Sequence, residues 1–203
     1  MLKRAGLAVL WILLFSSIAG AQEHRFDASL SGVAAFSKTS EGNGVTLKPT
    51  TAGGALGSVR LWIAPKVALE ANWGRFKNSQ KYNSPPFEYR VQGAVTEFSG
   101  DVVYSFMQRG KFHPFVLGGG GVLVFSPEQT FIFTTPFLFG AARQVEPAIL
   151  YGVGVDYHAY KAVSVRLQYR GLFYRAPYYN FSTLTTSASG HLAEPAVGVV
   201  FSF

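Results

Sequence analysis

The chain has 203 residues, a formal net charge of +7, 14% charged and 15% aromatic residues, 22 glycines and no cysteine. That length suits one domain, and the absence of cysteine excludes a disulfide framework while fitting passage through an oxidising periplasm. The basic excess is mild, and no cluster of Lys or Arg gives it a direction, which excludes nucleic acid as a partner.

At the start of the chain, Lys3 and Arg4 form a short positive region. An unbroken apolar run follows from Leu7 to Phe15, and Ala19-Gly20-Ala21 has the small-x-small pattern of a cleavage site. Nine apolar residues are too few to span a bilayer as a helix, so residues 1–21 read as a cleaved secretory leader and residues 22–203 as the mature domain. Without Lys3 and Arg4 the charge of +7 falls to +5. No later apolar run has helical span length.

Eight alternating stretches follow, each predicting a strand. The first, Phe26 to Phe36, sets Phe26, Ala28, Leu30 and Phe36 against Asp27, Ser29 and Ser31. The second, from about 53 to 64, sets Val59, Leu61 and Ile63 against Ser58, Arg60 and Trp62. The third, Val67 to Phe76, sets Val67, Leu69, Ala71 and Trp73 against Ala68, Glu70, Asn72 and Gly74. The fourth, from about 90 to 106, sets Phe98, Val102, Tyr104 and Phe106 against Glu97, Ser99, Asp101 and Ser105. The fifth, Phe112 to Phe125, contains the run Gly118 to Gly121. The sixth, Val145 to His158, sets Ile149, Tyr151, Val153, Val155 and Tyr157 against Glu146, Gly152, Gly154, Asp156 and His158. The seventh, Val163 to Tyr174, sets Val165, Leu167, Tyr169 and Phe173 against Ser164, Arg166, Gln168 and Arg170. The eighth, Leu192 to Phe203, sets Val197, Val199, Phe201 and Phe203 against Glu194, Ala196, Gly198 and Ser202.

The connections alternate in length. Ala64-Pro65-Lys66, Gln108 to Lys111 and Ala159-Tyr160-Lys161 are tight, whereas 37–52, 77–89, 126–144 and 175–191 are long and rich in Gly, Asn, Ser, Thr and Pro. Short turns on one rim and long loops on the other are the asymmetry of an outer-membrane barrel, with the long loops outside. The fold class read here is therefore all-β, an eight-stranded antiparallel up-and-down transmembrane β-barrel.

Desolvation assigns the faces. An Arg or Lys against hydrocarbon costs about 2–4 kcal/mol at the midplane. Arg60, Glu70, Glu97, Asp101, Asp156, Arg166 and Arg170 must therefore face the lumen, where burial demands pairing into an ion network. Eight strands leave a lumen that side chains can fill, so these groups are expected to form a packed polar plug rather than an ion path. Gly152, Gly154 and Gly198 are expected to make room for the arginine arms. Trp73, Phe76, Phe98, Phe106, Tyr151, Tyr157, Tyr169, Phe173, Phe201 and Phe203 are expected outside, as membrane girdles. In the third long loop, Phe125, Phe131, Phe133, Phe137 and Phe139 share one parity. They predict strands extended beyond the bilayer and turning near Thr135-Pro136, with a contact patch for a partner or an acyl chain as the other account.

The strands Pro114 to Gly121, Gly152 to Tyr157 and Val165 to Arg170, with the terminal aromatic Phe203, resemble the OmpA/OmpX-like eight-stranded outer-membrane β-barrel family over essentially the whole mature chain. Gly198, Phe201 and Phe203 are similar to the family's C-terminal signal for the barrel assembly machinery. The resemblance implies a monomer in the cell outer membrane, in contact with outer-membrane lipids and lipopolysaccharide. Any specificity for a surface ligand would lie in the loops. No cofactor or metal is expected, because His24, His113, His158 and His191 lack ligand spacing. No catalytic elbow or phosphate loop is present, so catalysis is not expected. The alternatives are a lipid A-modifying acyltransferase or deacylase, for which His191, Glu194 and Ser187 or Ser189 are the only candidates, and a small channel.

Overall fold

A computed structural model of the chain describes residues 25–107, 110–138 and 140–203. The expected leader at 1–21, His24, Phe139 and part of the 108–111 turn lie outside the described residues. Eleven strands follow one another: β1 (Phe26–Ser37), β2 (Ser40–Gly42), β3 (Val45–Pro49), β4 (Ala52–Ala64), β5 (Val67–Ser84), β6 (Phe87–Ser105), β7 (Phe112–Ile132), β8 (Thr135–Pro136), β9 (Gln144–Tyr160), β10 (Val163–Arg175) and β11 (Ser189–Ser202). Eight of them, all but β2, β3 and β8, pair antiparallel with their neighbours, and β11 returns to β1 to close a barrel. At the seam the Phe203 amide donates to the Phe26 carbonyl at 2.7 Å, so the last residue has its backbone partner.

The register fixes the dimensions. From Phe26 the paired residues run through Leu61, Leu69, Val102, Gly118, Tyr151, Gly171 and Ala193 to Phe36. One circuit therefore returns ten residues further along β1. With strands about 4.8 Å apart and a rise of about 3.3 Å, this stagger sets a tilt of about 40°, or about 2.5 Å of height per residue. Phe26 and Phe36 thus lie about 25 Å apart along the axis, the height of a barrel's apolar band. Both face outward and are exposed, as are Leu61, Leu69, Val102, Tyr151 and Val153 between those levels.

The upper rim differs from expectation. The segment 77–89 is not a long loop, because β5 and β6 continue as a paired ladder up to a turn at Pro85-Pro86. Likewise β7 reaches Ile132, and β2 and β3 form a hairpin within 38–51 that extends the sheet beside β5. Above the bilayer the outward face is polar and the inner face mixes polar with apolar residues, so hydrophobic alternation fades where the backbone ladder does not. The asymmetry between rims is carried by strand length as much as by loop length.

Two aromatic placements are corrected. Phe76, expected in the girdle, is buried in the lumen with the even residues of β5. Phe125 also points inward. Its parity does not carry to Phe131, because a bulge at Glu128 sets two residues of β7 against one of β6: Gly93 pairs Pro127, but Gln92 pairs Gln129. The extension of strand five stands, while the turn falls at Phe133-Thr134, with Thr135-Pro136 folded back as β8 on the end of β7.

Candidate functional site

The lumen is filled in layers. Near the short-turn rim, the Trp62 indole donates to Asp27 at 2.8 Å. Above it Arg60 donates to Glu70 at 2.7 Å, and Arg166 holds Asp156 through two nitrogens at 2.7 and 2.9 Å. The pairs cross, Arg60 to Asp156 at 3.3 Å and Arg166 to Glu70 at 3.1 Å, giving a ring of alternating charge. Phe115 supports both arginines, its ring centre 4.6 Å from the Arg60 guanidinium and 5.2 Å from that of Arg166. A layer without ion pairs follows, in which Ser58 donates to Asn72 at 2.6 Å and Asn72 to Asp101 at 2.7 Å. Higher still, Arg170 binds Glu97, Glu194 at 3.1 Å and the Ser99 hydroxyl at 3.1 Å.

All seven residues named from sequence as a lumen network are buried here. Six of them form ion pairs, and Asp101 is held by Asn72 instead. Sequence reasoning left out Glu194 and Asp27, which strand parity alone places inward, and the neutral linkers Asn72 and Ser99. The expected role of the glycines is corrected. A Cβ on Gly152 would strike Leu117, on Gly154 the Phe115 ring, and on Gly198 the Ser31 side chain. These glycines make room for adjacent backbone and for Leu117, Phe115 and Ser31 rather than for the arginines.

Above the charged layers apolar side chains join buried Gln80, Thr130 and Glu146 in filling the lumen. Phe76, Val95, Leu123, Phe125, Leu150, Leu172, Tyr174 and Leu192 form a continuous buried cluster with Tyr179 and Leu184 from the loop 176–188. That loop is tied down over the opening. The Gln144 side chain accepts the amides of Tyr178 at 2.9 Å and Tyr179 at 2.6 Å, and the Tyr82 hydroxyl donates to the Pro177 carbonyl at 2.7 Å. Asn43 of the β2–β3 hairpin donates to the Thr185 carbonyl at 3.2 Å. Burial pushes the Tyr179 hydroxyl up, so it keeps its proton. Outside this cap a cleft of about 500 Å³ is lined by Arg175, Tyr178, Asn180, Ser182, Thr185 and Ser187.

The residues weighed for catalysis do not converge. His191 faces outward, where its ring meets the Tyr151 hydroxyl at 3.0 Å and packs on Phe173 at 4.7 Å. Glu194 lies on the opposite face, inside the lumen on Arg170. Ser187 accepts a hydrogen bond from Asn43 at 3.2 Å. At the short-turn rim His113 and His158 stack at 5.8 Å, and His158 meets the Ser164 hydroxyl at 2.9 Å. Among the described residues no group of three or more His, Cys, Asp or Glu could hold a metal ion.

No family model matches the chain, and no curated protein matches it by sequence. Solved structures match it by fold. Neisserial surface protein A superposes with a TM-score of 0.58 at 16% identity, over 88% of this chain and 97% of its own. OprG from Pseudomonas aeruginosa gives 0.55 at 12%, over 90% and 98%. Ail, the attachment invasion locus protein of Yersinia pestis, gives 0.52 at 10%, over 90% and 100%. The architecture is that of an eight-stranded outer-membrane β-barrel, as the resemblance to OmpA/OmpX-like barrels implies.

Proposed function

We propose that this chain is an integral barrel of the outer membrane that acts through its outer rim, as a structural or surface-interaction protein, and neither conducts nor catalyses. One observation carries this reading: the lumen is occupied along its length, by crossed ion pairs below and by an apolar cluster under the tied-down loop 176–188 above. A water-filled path would have to break both. The outward band from Phe26 to Phe36 supports residence in a bilayer, and the resemblance of Gly198, Phe201 and Phe203 to an assembly signal supports insertion by the barrel assembly machinery. On this reading residues 1–21 are a leader that is removed, the barrel is a monomer, and lipopolysaccharide surrounds its upper half.

The test uses residues 22–203 refolded into detergent and then into a planar bilayer. The expected result is a folded band that shifts on boiling, and conductance at background. Discrete channel steps would overturn the sealed lumen. A chain that stays folded and dissolved without detergent or lipid would overturn the membrane reading.

A further inference from the structure

The outward face above the band carries an unusual row. Lys48 on β3 pairs directly with Lys81 on β5, which pairs with Arg90 on β6, which pairs with Phe131 on β7. Their neighbours Leu47, Tyr82 and Val91 are buried on the inner face, so the three cations point outward together. Directly opposed side chains on neighbouring strands have Cβ atoms about 5 Å apart, and like charges so placed are destabilising. Among the described residues no carboxylate lies within ion-pair distance of Lys48, Lys81 or Arg90. Below the row on β5, Arg75 and Lys77 extend the patch, with Lys77 bound to Glu128 at 3.1 Å. The remaining acids nearby are Glu88, opposite Asn83, and Glu41, opposite Thr46. Five cations thus face three carboxylates, one of them already paired.

Arg90 is the fixed point. Its guanidinium lies 4.4 Å from the Phe131 ring centre, held by cation–π attraction, and its buried Nε has no hydrogen-bond partner. The planar fork that remains suits a phosphate oxygen pair, with the two lysines as point charges beside it. Height selects the source of the phosphate. Lys81 is eight residues above Trp73, the last outward apolar residue of β5, or about 20 Å along the axis at about 2.5 Å per residue. Arg75 and Lys77 lie at the edge of the hydrocarbon, and the row stands over the headgroup layer beyond it.

We propose that the outward face of β3, β5 and β6 is a binding site for a phosphorylated glycolipid of the outer leaflet, with Arg75 and Lys77 at the boundary and Lys48, Lys81 and Arg90 on phosphate groups of the sugars above. This rests on the outer-membrane reading given above.

The test titrates the refolded barrel, in neutral detergent, with lipopolysaccharide, with the same material after dephosphorylation, and with inositol hexaphosphate as a soluble phosphate. Lipopolysaccharide is expected to bind the parent chain at least about tenfold more tightly than a triple Lys48→Gln, Lys81→Gln, Arg90→Gln variant. Dephosphorylation should cost the parent chain a similar factor, and rising salt should weaken its binding more than the variant's. A Lys66→Gln, Lys161→Gln variant at the opposite rim should bind as the parent does. Equal binding by triple variant and parent, or no effect of dephosphorylation, would overturn the site. Inositol hexaphosphate binding as tightly as lipopolysaccharide would overturn the lipid as its occupant. Heat-modifiability separates the two readings: a parent that fails to fold in detergent counts against the barrel function, and a folded variant with unchanged affinity counts against this site alone.

Discussion

Arg170 shows how a charged residue becomes structural. It has no solvent exposure and meets Glu97, Glu194 and Ser99. Replacing it with Met strands two buried carboxylates, a loss of about 3–5 kcal/mol, because an unpaired charge costs more than the pair gained. Urea unfolding in lipid vesicles, followed by tryptophan emission, should show that loss. Adding Glu97→Gln and Glu194→Gln should restore most of it, and a triple variant as unstable as Arg170→Met would show that packing rather than charge was lost. The same residue marks what could be read directly. Its inward direction follows from period-2 alternation and the cost of charge in hydrocarbon. Its partners do not: Glu194, 24 positions away, meets it through the register of β10 with β11, and Glu97, 73 positions away, reaches it across the lumen.

Glycines at this scale serve close approach. Gly119 and Gly121 face Asp101 and Ser99 across the β6–β7 ladder, and a Cβ on either would collide with the backbone of β6. Two of the four glycines in the β7 run are thus a packing requirement, while a Cβ on Gly118 would meet open space.

At the scale of elements, the loop 176–188 behaves as part of the core. Leu184 is fully buried and Tyr179 is nearly so, while Gln144 holds two of the loop's amides. A Tyr179→Ala, Leu184→Ala variant should lower the local stability of this loop by about 2–5 kcal/mol and leave the barrel closed. Hydrogen exchange at the backbone amides of positions 178 and 179 would show it, with heat-modifiability retained. Unchanged exchange would mean that the cap is held by its hydrogen bonds alone. None of this was legible, because a Ser- and Thr-rich segment reads as a solvated loop whichever way it folds. The bulge at Glu128 was hidden for a similar reason: one inserted residue exchanges the faces beyond it, and parity counted from Phe125 then misplaces it relative to Phe131.

At the scale of the whole molecule, the ten-residue stagger ties tilt, diameter and band height together. Val153 lies outward near the middle of the band, and Val145, eight residues up β9, lies outward beyond its edge. Val153→Arg should destabilise the barrel by about 2–4 kcal/mol in bilayers and Val145→Arg by about 0–1 kcal/mol. Unfolding titrations of the two variants measure the difference, and equal costs would mean that the band is not where the register places it. The number of spanning strands and the faces of most of their residues were determined by the chain alone, Phe76 and Phe125 excepted. A bilayer imposes its polarity residue by residue, so one-dimensional alternation carries that information. Which charges pair, where β5 and β6 stop, how the cap seats and which cations line up on the outer face were decided only by closure. Those depend on register, and register is a property of neighbouring strands and of the ring they complete.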